Sequence, residues 1–242
     1  MSNELLIILS VPAYLGLMAV LLRYFGKVGL YFWIVVATIF ANIEVLVNVN
    51  AFGINMSLGN VLFGSSFLAT DVLGERYGKE SSSTAMHLGV IATIIYMLFS
   101  QFWLMFTPSS EDFAFGAFQV LFTAGFRVAM ASVLVYYIAQ KVDIFMYHFI
   151  WEKTTEKSKD KQKYLWLRNN GSTLLSQLIN NFLFAYLAFG KINLGIIKLD
   201  WAFEPETVFS IFITGYFIMA VVALVDTPFC YLCRKMKVLK EA

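Results

Sequence analysis

Cysteine, histidine, proline and charge are all scarce in this chain of 242 residues, which holds two Cys, two His, four Pro and 14% charged residues. Two cysteines build no disulfide framework. The single CxxC they form, Cys230 and Cys233, lacks the second pair that a four-ligand structural zinc site needs, so the thiols are expected to pack within or beside a helix. No GxxxxGK[ST] loop occurs, which excludes a P-loop ATPase in this chain. No HExxH occurs, and no Gly-flanked Ser has a convincing His partner, so Ser65 and Ser66 in FGSSF are expected to be small packing residues. Neither enzymatic activity nor a cofactor or metal is expected. A net charge of +2 offers no surface for nucleic acid. The first residues, MSNELLIILSVPAYLGLMAVLL, have no basic n-region and no small-residue cleavage pattern, and are expected to stay as a first helix.

What the chain has in abundance is apolar surface: 59% hydrophobic and 17% aromatic residues, with a mean hydropathy of +0.70. Runs of about 18 apolar residues or more are long enough to cross a bilayer core of roughly 30 Å. Seven such spans are predicted, at 4–22, 29–49, 57–73, 83–106, 113–140, 171–189 and 207–233. Backbone amides left unsatisfied in lipid are too costly for anything but helices or a closed barrel, so the fold class is all-α: a polytopic integral membrane helical bundle. The one long hydrophilic segment, 141–170 with KTTEKSKDKQK at its centre, is expected to be a solvated loop.

Charge asymmetry sets the expected orientation. Of the 18 Lys and Arg, fifteen fall in alternate connections: Arg23 and Lys27, Arg76 and Lys79, seven from Lys141 to Arg168, and Arg234, Lys235, Lys237 and Lys240. Lys191 and Lys198 fall on the other side and Arg127 within a span. The positive-inside rule then places the N-terminus outside and the C-terminus in the cytoplasm. Trp33, Trp103, Trp151 and Trp201 lie near span ends and are expected in the aromatic belts.

The polar residues inside the spans are the candidates for function, because charge at membrane depth is rare unless it faces a protein interior or a water-filled path. Arg127 is expected near the midplane of the fifth span, where an Arg costs at least about 2.5 kcal/mol and needs a partner. Gln119 and Thr123 precede it at four-residue steps and share its helix face. Thr173, Gln177, Asn180 and Asn181 form a stripe in the sixth span, which serves equally as a binding site or as interhelical hydrogen bonding. The second span contributes Asn42, Glu44 and Asn48, with Asn42 turned away from Glu44; Glu44 is also a candidate ion-pair partner for Arg127. Asp71 ends the apolar run of the third span, while Glu75, Arg76 and Lys79 read as an ordinary interfacial turn. Asp226, before Thr227 and Pro228, reads as a helix end or kink. Carboxylates, carboxamides and one guanidinium among many aromatics suit a flat, polar solute, and a guanine-like base presents that donor pattern.

The GNVLFGSSFLATDVLGERYGK block, FRVAMAS around Arg127, AQKVD at 139–143, NNGSTLLSQLINN in the sixth span and DTPF at 226–229 together resemble the queuosine precursor transporter family, also called the vitamin uptake transporter family. The resemblance covers about 29–237 and implies a six-helix transporter core at 29–237, with 4–22 as an extra N-terminal helix. It implies uptake of 7-deazaguanine precursors of queuosine (the cyano base, the aminomethyl base, queuine or the nucleoside) across a bacterial cytoplasmic membrane. By position, Asn42, Asp71, Arg127, Gln177, Asn180 and Asn181 match the family's intramembrane polar positions. With Glu44 from the residue reading, they make the expected substrate-binding set. Relatives often carry a Lys late in the second span, where this chain has none, and some have one where this chain has Ile218. The expected mechanism is alternating access, with a deazapurine and the lipid bilayer as partners and a homodimer as a compatible assembly. The alternatives are a capture subunit for another heterocycle or vitamin that needs a separate energising complex, and a seven-helix receptor, for which the tail after Cys233 is short.

Overall fold

The computed structural model describes residues 1–160, 163–193, 198–199 and 203–239. Trp201 and Lys240 lie outside the described residues. The architecture is all-α: six continuous helical elements and two short hairpins, α1 (Asn3–Glu44), β1 (Asn48–Ala51), β2 (Ile54–Ser57), α2 (Gly59–Tyr77), α3 (Lys79–Trp103), α4 (Phe115–Ser158), α5 (Leu165–Phe189), β3 (Ile192–Asn193), β4 (Lys198–Leu199) and α6 (Pro205–Lys235).

The 42 residues of α1 are two arms that fold back on each other at Gly26, whose φ of 57° and ψ of −133° an L side chain adopts only under strain. A straight helix would place Tyr14 and Glu44 about 45 Å apart at 1.5 Å per residue. Instead the Tyr14 hydroxyl donates to Glu44 Oε1 at 2.9 Å, and Leu15, Met18 and Leu22 share a buried cluster with Leu30, Trp33 and Ile34. With the arms counted separately the described residues form seven helical segments, and the break predicted near Arg23 and Lys27 falls where the chain reverses. Gly78, at φ 86°, makes the equally tight joint between α2 and α3.

Among the described residues, four helices are long and apolar enough to cross a membrane: α1, α3, α4 and α6. Their outward residues, such as Leu9, Phe32, Ile95, Leu98, Phe217 and Leu224, are exposed, as side chains facing lipid would be. The other two are less apolar: α2 lies inside, and α5 turns a polar face inward while Trp166, Leu178 and Phe182 stay exposed. Thus α2 contacts every other helix, and from Val61 to Gly74 nearly every residue is buried. The stretch 59–78 is the centre of the molecule.

The segment 141–170, expected as a loop, is mostly helix: α4 continues to Ser158, where Lys159 caps it with φ 57°, and α5 begins at Leu165. Its charges lie on a helix that extends past the apolar belt, a continuation that hydropathy cannot distinguish from a solvated coil. At the opposite end, β1 and β2 form a hairpin whose two turn residues, Phe52 and Gly53, both have positive φ (53° and 75°), as a two-residue type I′ turn requires. We call these the loop end and the hairpin end. Asn3 at the start of α1 bonds Asn50 O at 2.9 Å, tying the N-terminus to the hairpin end.

Candidate functional site

The interior polar residues fall into three layers along the bundle axis. Nearest the hairpin end is a cleft of about 50 Å³ walled by Asn42 of α1, Asn60 and Phe63 of α2, Ser132 of α4, and Asn180 and Asn181 of α5. It shares Val45, Asn60, Asn181 and Phe184 with a larger vestibule of about 470 Å³, which extends toward the hairpin end between β1–β2, Phe189 and the first turns of α6. That volume lies within the range of roughly 300–1,000 Å³ usual for small-molecule pockets. Asn42 Nδ2 donates to Thr38 O at 2.7 Å and Asn181 Nδ2 to Gln177 O at 2.9 Å. These bonds fix both amides and leave the Asn42 carbonyl oxygen buried without a donor. Asn180 makes no side-chain hydrogen bond among the described residues. The Asn181 oxygen fits against α6 because position 215 is Gly; a Cβ there would come to 2.5 Å from it.

The middle layer is buried and acidic. Asp71 of α2 and Asp143 of α4 are 2% and 0% exposed and lie near each other beside Thr173 of α5. Ser176 Oγ donates to Asp143 Oδ1 at 2.9 Å, and Thr70 Oγ1 to Gln140 Oε1 at 3.1 Å. Asp226 of α6 completes the layer, taking a 3.1 Å bond from Asn169 Nδ2. Since α6 runs on through Pro228, Asp226 is no helix end but a third buried carboxylate. Between this layer and the cleft lies Gln177, fully buried, with both amide atoms unpartnered. Among the described residues, no group of three His, Cys, Asp or Glu converges as metal ligands would.

The third layer seals the loop end. Both Glu75 oxygens accept from Arg168 Nη2, at 2.7 and 2.8 Å, and Glu75 also ion-pairs with Arg234 Nε at 3.2 Å and accepts from the Tyr147 hydroxyl at 2.9 Å. Arg168 is wholly buried and lies 4.5 Å over the Trp151 ring. Arg76 caps the end of α6 through Cys233 O at 2.6 Å and Met236 O at 2.8 Å. Glu75 and Arg76 therefore clamp α2 to α4, α5 and α6 and do not form an interfacial turn.

Of the predicted set, Asn42, Asn180 and Asn181 meet at one cleft, with Gln177 a turn deeper and Asp71 in the acidic layer. Glu44 is not with them: it faces the first arm of α1, in a separate cavity with Tyr14 and Ser10. Arg127 pairs with neither Glu44 nor Asp71 among the described residues. Its Nε donates to Leu187 O at 3.1 Å and its Nη2 to Gly190 O, so it caps the end of α5 near the hairpin end. The face it was expected to share inward is not inward at its start, since Gln119 and Thr123 are exposed. Trp33, expected in a belt, is buried and donates to Ser65 Oγ at 3.1 Å. Cys230 and Cys233 are free, buried thiols.

Apolar helices around a polar interior, open toward one end and clamped at the other, define a membrane protein of the transporter class. Residues 57–233 match the family model described as "Putative vitamin uptake transporter". The chain is 38% identical over 220 residues, 90% of its length and 89% of the relative's, to a protein of Bacillus subtilis (strain 168) named "Probable queuosine precursor transporter". The chain belongs to this vitamin uptake transporter family. No solved structure matches it.

Proposed function

We propose that this protein imports queuosine precursors, 7-deazaguanine bases, across a bacterial cytoplasmic membrane by alternating access, with the loop end facing the cytoplasm. The observation that carries this reading is the convergence of the Asn42, Asn60, Asn180 and Asn181 carboxamides on one cleft beside Phe63 and Phe184. Carboxamides supply donors and acceptors in one plane, which is what the edge of a deazaguanine needs, while aromatic walls take its faces. The name of the Bacillus subtilis relative supports the same substrate class.

The cycle follows from the layers. A base enters the vestibule from the hairpin end, loses water among Phe184 and Phe189, and exchanges it for the cleft amides. The Glu75–Arg168–Arg234 clamp holds the opposite end shut. For release, α2, α5 and α6 part there while the Arg127-capped end of α5 closes over the vestibule. In this cycle Asn42, Asn180 and Asn181 contact the base, Gln177 lies directly beneath it, Asp71 acts one layer deeper, Arg127 positions the closing segment and Glu44 supports the first arm of α1. Residues 29–237 form the moving core and 4–22 an accessory helix.

The test is equilibrium binding of 7-cyano- and 7-aminomethyl-7-deazaguanine to purified protein, with Asn181→Ala and Asn180→Ala beside the wild type. Loss of one well-placed bond to a buried polar group corresponds to about 1–3 kcal/mol, roughly ten- to hundredfold in Kd. Unchanged affinity in both variants would remove the cleft as the binding site.

A further inference from the structure

The cleft explains substrate capture but leaves the acidic layer beneath it without a task. Asp71 and Asp143 are buried side by side, and with both ionised neither Asp71 Oδ2 nor Asp143 Oδ2 has a donor. Ionised carboxylates only accept hydrogen bonds, and two of them buried near each other without a cation repel, which favours a proton on one. A single proton between them satisfies both orphan oxygens. No cationic side chain ion-pairs with Asp71, Asp143 or Asp226 among the described residues.

The groups that face this pair can be named from every side. From α6 comes Asp226, held by the Asn169 amide, and from α5 come Thr173 and Ser176. One turn toward the loop end, Glu75 already carries Arg168, Arg234 and the Tyr147 hydroxyl, and Cys230 lies beside it. The Glu75 clamp keeps its own cations, and the pair is left with a proton as the small cation that fits.

A second, independent observation connects this pair to the cleft. Gln177 lies between them, with both amide atoms unpartnered, and the Gln140 Nε2 and Tyr136 hydroxyl on the neighbouring face of α4 are unpartnered as well. All three side chains are buried, and along α4 the positions 132, 136, 140 and 143 form one helix face running from the cleft to the acid pair. Donors and acceptors at these steps are what a proton relay needs and what a purely structural packing layer avoids.

We propose that Asp71 and Asp143 form a proton site that couples inward movement of substrate to inward movement of one proton. The site rests on the base-import reading above. In each cycle the pair, doubly ionised after inward release, takes one proton from the hairpin end through Gln177 and the Tyr136–Gln140 face; this protonated pair is the state described above, and once base also fills the cleft it allows the loop-end clamp to open. The same proton leaves toward the loop end, so the pair ends the cycle as it began.

The experiment uses full-length protein in liposomes containing a pH-sensitive dye, with labelled 7-cyano-7-deazaguanine outside. Two readouts are taken: exchange of base between equal internal and external pools, which needs no coupling, and net uptake with internal acidification. The wild type should exchange base, acidify the lumen on uptake and accumulate several-fold more base under an inward proton gradient. Asp143→Asn should keep exchange and lose both acidification and the gradient response. Wild-type exchange with no acidification, or accumulation that follows a sodium gradient instead, would overturn the proton site and leave the substrate reading intact. A wild type that exchanges no base overturns both. If Asp143→Asn does not insert, Ser176→Ala serves in its place: it removes the donor to ionised Asp143, so the pH of half-maximal uptake should move upward, and an unmoved profile rejects the site.

Discussion

Arg127 illustrates how a single residue can sit in a functional region without touching substrate. Its guanidinium ends on two carbonyls at the close of α5, where four backbone oxygens otherwise lack donors and the helix dipole leaves partial negative charge. Arg127→Ala is therefore expected to cut uptake per inserted molecule by loosening the segment over the vestibule, while leaving the affinity of the solubilised protein for base within a fewfold of wild type. A large loss of affinity would place the guanidinium on the substrate instead. Glu44 gives the complementary case. It bonds Tyr14 in a cavity separate from the cleft, so Glu44→Gln should bind base as the wild type does, checked by the same titration. Gly215→Ala should behave oppositely: a methyl 2.5 Å from the Asn181 oxygen forces that amide to move and should weaken binding about tenfold.

Among the elements, the loop-end clamp and the α1 turn carry the sharpest expectations. Glu75 pairs with both Arg168 and Arg234, and the Arg168–Glu75 pair is almost wholly desolvated, with side chains 0% and 5% exposed. Removing one partner of a buried pair typically costs about 3–5 kcal/mol because the other charge is left uncompensated. Glu75→Ala should thus lower the melting temperature in detergent markedly and open the loop end to thiol labelling at Cys233; a variant as stable and as unreactive as wild type would contradict the clamp. At Gly26 an alanine must adopt a backbone conformation that costs about 1–3 kcal/mol, so Gly26→Ala should destabilise the fold-back of α1 in the same assay.

At the scale of the whole molecule, the sequence carried the bundle, the central place of 59–78, the reversal near Arg23 and the inward stripe of α5. Each of these is written in periodicity or in the costs of polar groups in lipid. Thr173, Gln177, Asn180 and Asn181 are all buried, as their spacing of four, three and one predicts. Other features were hidden because they depend on depth and partner, which a single helix does not encode. Asp143 and Arg168 lie in the segment that looks like a solvated connection, yet α4 and α5 carry both into the interior. Asp226 stands beside a proline that suggests a break, yet its helix continues. Arg127 sits midway along an apolar run, yet its guanidinium reaches the carbonyls that close α5, a partner that the run itself does not encode. The β1–β2 hairpin has four-residue strands, too short to stand out against spans of about 20 residues.

The most direct test of the whole account is uptake of labelled 7-deazaguanine bases by intact cells that cannot synthesise them, expressing either the wild type or Asn181→Ala at equal membrane levels. The account predicts accumulation with the wild type and little above background with the variant. Equal accumulation by both would contradict the assignment of the cleft, and no accumulation of any such base by inserted wild-type protein would contradict the substrate class itself.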